Sequence, residues 1–177
     1  MKLIYFIIFF LFSFYIKFIY AQTIGVINVQ SLIDNHVEYS SLIKEIEKNQ
    51  EKYFKNFEIK ENELKLALKN IEESKLILSE EEINNQINNY NQQLNNFAAK
   101  IEKFNSHYQN EIVTMRDSIF KEIIVLLQKY AIKNNIDLIL DSTSYLIASN
   151  SIDITENIQN ELKKIDIKLE FKDFENN

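Results

Sequence analysis

The 177-residue sequence has no cysteine, no proline, no tryptophan and a single glycine, Gly25. Each absence closes off some chemistry. Without cysteine there is no thiolate nucleophile, no Cys-based metal site, no disulfide to staple the fold and no cysteine to carry a lipid at a cleavage site. One glycine cannot build a phosphate-cradling loop, which excludes the P-loop and dinucleotide-binding fingerprints. Basic charge is also short, with 20 Lys and Arg against 26 Asp and Glu and a net charge of −6. Such a chain is not built to coat phosphates, so no nucleic-acid partner is expected.

The lack of proline leaves long helices unbroken, and the apolar pattern uses that freedom. From Ile83 onward an apolar residue recurs at steps of three or four: Ile87, Tyr90, Leu94, Phe97, Ile101, Phe104, Tyr108, Ile112, Met115, Ile119, Ile123 and Leu126. This is one long helix with a narrow coiled-coil seam. Leu42, Ile46, Tyr53, Phe57, Leu64, Leu68 and Ile71 form a second stripe before it. Two helices folded back on each other match residues whose numbers add to a constant. Ile71 with Ile83, Leu64 with Tyr90, Phe57 with Phe97, Tyr53 with Ile101, Ile46 with Tyr108 and Leu42 with Ile112 all give 154. The fold-back point is therefore expected near Ile77. Ser79-Glu80-Glu81-Glu82 places the same turn independently, as a capping box with three acidic residues at the positive end of the helix dipole. Arms of about 35 to 40 residues would project on the order of 50 to 60 Å. A hairpin that long is a spacer or a grasping arm rather than an enzyme pocket.

Residues 1–21 have the layout of a secretory signal: Met1-Lys2 is a short positive start, Leu3 to Ile16 is apolar except for Ser13, and Ala21 precedes Gln22. Lys17 sits late and Ile19 is bulky for a processing site, so an uncleaved anchor stays open as the alternative. The apolar run of 14 residues is short of the roughly 20 that span a bilayer, which favours cleavage. Losing Lys2 and Lys17 takes the net charge from −6 to −8.

Outside the hairpin the period changes. Ile24 to Val29, Ile136 to Leu140 and Tyr145 to Ala148 are short aliphatic and β-branched runs that read as strands. Asp141-Ser142-Thr143-Ser144 joins the last two as an expected β-hairpin turn. Asp153, with Glu156 three residues on, is expected to cap a final helix whose apolar face is Ile154, Ile158, Leu162 and Ile165. Ile165, Ile167, Leu169 and Phe171 then alternate with charged residues, which suits either an edge strand or a loosely held tail. The expected fold class is α+β. A small β-strand body, residues 22–40 with 121–177, receives a long antiparallel helical-hairpin arm, residues 41–120, after its first strand. A body this small loses only roughly 60% of its surface on folding, and its strands have open edges. Self-association is the natural remedy, through Ile24, Val26, Ile27, Val29, Leu138, Ile139 and Leu140.

These residues resemble the Skp (OmpH) family of periplasmic chaperones for outer-membrane proteins. The resemblance covers essentially the whole mature chain. It is most specific at Ile24-Gly25-Val26-Ile27-Asn28-Val29, at Asn135-Ile136-Asp137-Leu138-Ile139-Leu140-Asp141 and at Asp153-Ile154-Thr155. It implies a homotrimer in the periplasm, with the strands forming a shared trimerisation body. It also implies that unfolded outer-membrane proteins are held between the three arms without ATP, and it allows a transient contact with the membrane surface. The competing expectation is an envelope structural coiled coil tethered by an uncleaved N-terminus. Better-known members have basic arms, whereas residues 41–120 carry 11 Lys or Arg against 14 Asp or Glu. Nor does any Lys or Arg lie between Lys75 and Lys100, so a lipopolysaccharide-binding cluster at the arm tip is not carried over.

Candidate client contacts are the aliphatics off the seam, Ile59 and Leu66, and an apolar tip of Leu76, Ile77 and Leu78. His36 and His107 are far apart in the hairpin register, so no metal site or cofactor is expected from them. Asp137 and Asp141 flank a strand and are expected to end it through turn hydrogen bonds rather than act as an acid pair. No nucleophile, base and oxyanion donor come together, and no catalytic residue is assigned.

Overall fold

The computed structural model describes residues 22–174; the signal segment read in residues 1–21 lies outside them. In chain order the elements are β1 (Ile24–Ile27), α1 (Val29–Asp34), α2 (Val37–Ser74), α3 (Glu80–Asn134), β2 (Leu138–Asp141) and α4 (Thr155–Leu162). No helix among the described residues is long and apolar enough to cross a membrane.

The arm is the antiparallel pair α2 and α3, of 38 and 55 residues. They reverse between Ser74 and Glu80, around the expected Ile77. The capping box is present in both directions: Glu82 N–H donates to Ser79 Oγ at 3.4 Å, and Ser79 N–H donates to Glu82 Oε2 at 2.9 Å. The Ser79 hydroxyl, then the Ser79 amide, hold the Glu82 carboxyl below its usual range. Phe57 and Phe97 meet with ring centroids 5.9 Å apart, and Lys60 Nζ reaches Gln93 Oε1 at 3.2 Å, which fixes the register within a residue of that expected. The seam buries Ile46, Tyr53, Leu64 and Ile71 on α2, and Phe104, Tyr108, Met115, Ile119 and Ile123 on α3; Leu64 and Ile71, nearer the tip, lie outside the cluster that the other seven share.

Two stripe residues depart from expectation, since Leu68 and Leu94 are 41% and 40% exposed. Ala67, three after Leu64, is the half-buried residue of that turn, which leaves Leu68 rotated about 100° off the seam. By the same register Leu94 faces position 60, a lysine already engaged with Gln93.

In the body β1 and β2 pair in parallel, with Ile24 opposite Leu138 and Ile27 opposite Asp141. The first strand is shorter than expected. Asn28 accepts Ser31 N–H at 2.8 Å and caps α1, so Val29 is the first helical residue instead of the last strand residue. The second strand starts at Leu138 because Ile136 N–H still closes the end of α3, donating to Ala131 O at 2.9 Å past a left-handed Asn135 (φ 51°). The expected hairpin to Tyr145–Ala148 does not form. Asp141 Oδ2 accepts from both the amide (3.1 Å) and the hydroxyl (2.7 Å) of Thr143, winding Ser142–Ser144 into a 3₁₀ turn. Leu146 and Ile147 then stand wholly exposed.

The chain returns to β1 through a parallel bridge from Asp153 to Val26 and a bond from Ile154 N–H to Val26 O at 2.9 Å. That bridge is why Asp153 is not the cap residue of α4. Its carboxylate does accept Thr155 N–H at 2.8 Å, but the helix starts one residue later than expected, behind Ile154. The expected face of α4 is inward, with Ile154, Ile158 and Leu162 buried and Ile165 half-buried. One apolar core runs unbroken from the body, at Ile27, Leu32 and Ile158, to Tyr53 and Phe104 in the arm.

Candidate functional site

The arm presents apolar surface in the places the off-seam pattern indicates. Ile59 and Leu66, two turns apart on α2, are 59% and 61% exposed, and Leu76 and Ile77 at the tip are 94% and 84% exposed. Leu78 is half-buried in the turn. Around them the charges pair within α2: Lys60 with Glu63, Lys65 with Glu61 and Lys69 with Glu73. These exposed pairs add little stability, but they leave the α2 flank without a net basic field.

The residues assigned to oligomerisation divide into three groups. Val26 and Ile27 are buried in the protomer's own core, while Val29, Ile139 and Leu140 are half-buried. Ile24 and Leu138, which face each other in the sheet register, stay exposed.

The tail is neither an edge strand nor loosely held. After α4 it runs extended along the body and then up the arm. Ile167 and Leu169 are buried and Ile165 and Phe171 half-buried, while the charged residues between them face solvent. The alternation is that of a strand, yet the partner surface is helical. Phe174 lies in a nest of rings, with centroids 5.7 Å from Tyr53, 5.5 Å from Phe104 and 5.7 Å from His107. Tyr53 Oη donates to Asp173 Oδ1 at 2.7 Å. His107 Nε2 lies 2.7 Å from Lys172 O; a carbonyl only accepts, so that nitrogen carries the proton. Glu111 Oε2 accepts Lys172 N–H at 3.1 Å. His107 and Glu111, one turn apart on α3, thus hold the amide and carbonyl of a single residue. The hairpin stripes do not reveal this cluster, because His107 and Glu111 are polar residues beside the seam. The alternation from Ile165 and the late Phe171 and Phe174 were the available signals.

The other singled-out residues have structural roles. His36 caps α2, with Nδ1 accepting Tyr39 N–H at 3.4 Å. Burial pushes its pKa down, against an opposing pull from Glu38. Asp137 Oδ2 accepts Thr23 N–H at 2.8 Å, and Asp141 Oδ1 accepts Val29 N–H at 3.1 Å. Burial raises the Asp141 carboxyl, but the hydrogen bonds from Thr143, Val29 and Ser142 outweigh it and hold the group below its usual value. Asp141 ends its strand through the turn bonds to Thr143, as expected, whereas Asp137 departs from the turn reading and ties the start of β2 to Thr23, just ahead of β1.

Against this geometry, a crystal structure of a proposed OmpH-like outer membrane chaperone from Caulobacter crescentus CB15 superposes with a TM-score of 0.67. It covers 86% of this chain and 90% of its own at 11% identity, so the likeness is one of fold. No curated protein matches the sequence. The family model of OmpH-like outer membrane proteins matches residues 23–162, from β1 through the last residue of α4 and short of the tail. The chain belongs to the OmpH-like family.

Proposed function

We propose that the protein is an ATP-independent holdase of the periplasm. It binds unfolded outer-membrane proteins between the arms of a homotrimer and prevents their aggregation. The observation that carries this reading is the arm itself: a helical hairpin that closes an apolar seam along its length and still exposes Ile59, Leu66, Leu76 and Ile77. Family membership adds to it. Ile24 and Leu138, and separately the exposed Leu146 and Ile147, offer apolar surface for protomer contact. With no basic excess on the arm, capture rests on apolar burial, and holding depends weakly on salt. The reading includes no catalytic step.

Size-exclusion chromatography with light scattering, with and without a urea-unfolded barrel protein, tests this directly. A trimer that shifts to a one-to-one trimer–barrel complex is expected. A monomer that leaves the barrel protein aggregating would sink the proposal. Export is tested separately by N-terminal sequencing of the periplasmic fraction, where a chain starting at Gln22 is expected; intact Met1 in membranes would favour the tethered coiled coil.

A further inference from the structure

The tail lies beyond the residues the family model matches, and its docking has the chemistry of a peptide in a binding site. Among the described residues, no hydrogen bond joins the backbone of residues 166–172 to another backbone. The segment is held by apolar side chains at alternate positions and by side chains that grip its main chain. His107 donates to the carbonyl of Lys172 and Glu111 accepts from its amide. Neither contact depends on the side chain at that position, so the pair would hold any residue but proline there. Specificity comes from the tail's side chains: buried Ile167 and Leu169, Phe171 against Tyr108 at 6.5 Å, Phe174 among Tyr53, Phe104 and His107, and Asp173 accepting from Tyr53 Oη at 2.7 Å. The floor continues past Phe174: Tyr53 and Phe57 also line a cavity of about 410 Å³ between α2 and α3.

We propose that this surface is a binding site for extended polypeptide with apolar residues at alternate positions, and that the protein's own tail is its resident, displaceable occupant. The partner is a segment of an unfolded client. Alternation with a period of two is the pattern of a barrel strand, so the ligand class follows from the holdase reading, on which the choice of client rests. The site itself rests on the contacts of the tail. Because the tail is tethered, it competes at an effective concentration near the millimolar range. The apparent affinity for a segment in trans is lowered by the fraction of time the site stands vacant. The tail therefore sets a threshold that long, strongly apolar clients pass and folded chains do not.

The test measures binding of a fluorescently labelled peptide with the sequence of residues 163–177, by anisotropy, to the full chain and to two chains with a vacated site. One carries Phe171→Ala with Phe174→Ala; the other ends after Glu170 and keeps Ile167 and Leu169. Circular dichroism identifies a variant that has lost its helices, and the other then carries the comparison. The vacated chains should bind the peptide at least about tenfold more tightly than the full chain. Adding His107→Ala and Glu111→Ala to a vacated chain should abolish most of that gain, while a peptide with its apolar residues clustered instead of alternating should bind weakly everywhere. Equal peptide affinity of the full and vacated chains, or a gain that survives loss of His107 and Glu111, would overturn the proposal. Suppression of barrel-protein aggregation, measured on the same variants, separates the two readings. Peptide binding without suppression refutes the holdase and leaves the site. Suppression with no effect of the tail refutes the displaceable tail and leaves the holdase.

Discussion

Phe104 is the residue on which the arm's inner half depends. Its side chain is fully buried, and its ring lies within 5.1 to 5.6 Å of those of Phe57, Tyr108, Tyr53, Phe174 and Phe54. Truncation to alanine removes the transfer free energy of a whole aromatic side chain and leaves a cavity walled by rings that cannot collapse far, about 3–5 kcal/mol. The edge-on ring pairs are each worth roughly 0.5–1.5 kcal/mol, but they share one partner and do not add. The upper half of the range is therefore the expectation. For a chain of this size each kcal/mol lowers the melting temperature by roughly 2–4 °C, so Phe104→Ala should melt roughly 8–20 °C below the parent. Phe54 is the internal control: its ring also touches Phe104, but it is 53% exposed. Phe54→Ala should cost no more than about 1.5 kcal/mol. Urea and thermal melts followed by far-ultraviolet circular dichroism, at one fixed protomer concentration, provide both numbers. A loss below about 1 kcal/mol for Phe104→Ala, or equal losses at the two positions, would show that the ring cluster is not what holds the arm to its base.

Ile59→Asn with Leu66→Asn should leave the melt within about 0.5 kcal/mol of the parent, since both residues stand off the seam, yet it should weaken suppression of barrel-protein aggregation; unchanged suppression removes them as client contacts. Deleting Glu47 to Lys103 and splicing in a short turn should leave an oligomer by light scattering, whereas Ile139→Asp should break assembly, because an unpaired carboxylate resists burial. For His36 the sign follows from a folded pKa below the ordinary histidine value of 6.5. The neutral imidazole accepts Tyr39 N–H, so its contribution is complete above 6.5 and is lost as pH falls through the lowered folded value. Protection factors of the first amides of α2, with the intrinsic pH dependence of amide exchange divided out, should therefore fall between neutral and mildly acidic pH in the parent, and should stay constant over that range in His36→Asn. An equal pH response in both would exclude the imidazole as the cap.

The arm was legible because helical periodicity is a local property repeated over many turns. The constant sum read from the two stripes and the capping box at Ser79 are independent signals, and both place the reversal near Ile77. Errors of position arose where two residues compete for one role, as with Ala67 and Leu68. The body was legible only in outline. A four-residue strand has too few positions to show a period, and whether Val29 extends β1 or opens α1 is decided by the Asn28 side chain rather than by hydrophobicity. At Tyr145–Ala148 the strand propensity is real, but among the described residues no strand lies alongside to pair with it. The tail shows the opposite case: the alternation was visible, but that its partner would be the side of a helix is a long-range fact. His107 and Glu111 look like solvated residues until Lys172 arrives.

The parallel pairing of β1 and β2 has a kinetic consequence. Thr23 and Asp137, joined at the edge of the sheet, are 114 positions apart in sequence. Closing a loop of that length on an unstructured chain is slow and entropically costly, and a parallel strand pair cannot begin from a tight turn. The hairpin removes most of that cost, because its nearest contacts lie beside the Ser79 turn and each later pair is brought together by the one before it. Zippering from Ile71 and Ile83 towards Ile46 and Tyr108 carries the two strands to within a few residues of each other before either has a partner. The arm is then an assembly guide during biosynthesis. Substitutions at its tip should slow the appearance of the sheet without changing the final stability of the body, and the order of events runs from the farthest point of the molecule inward.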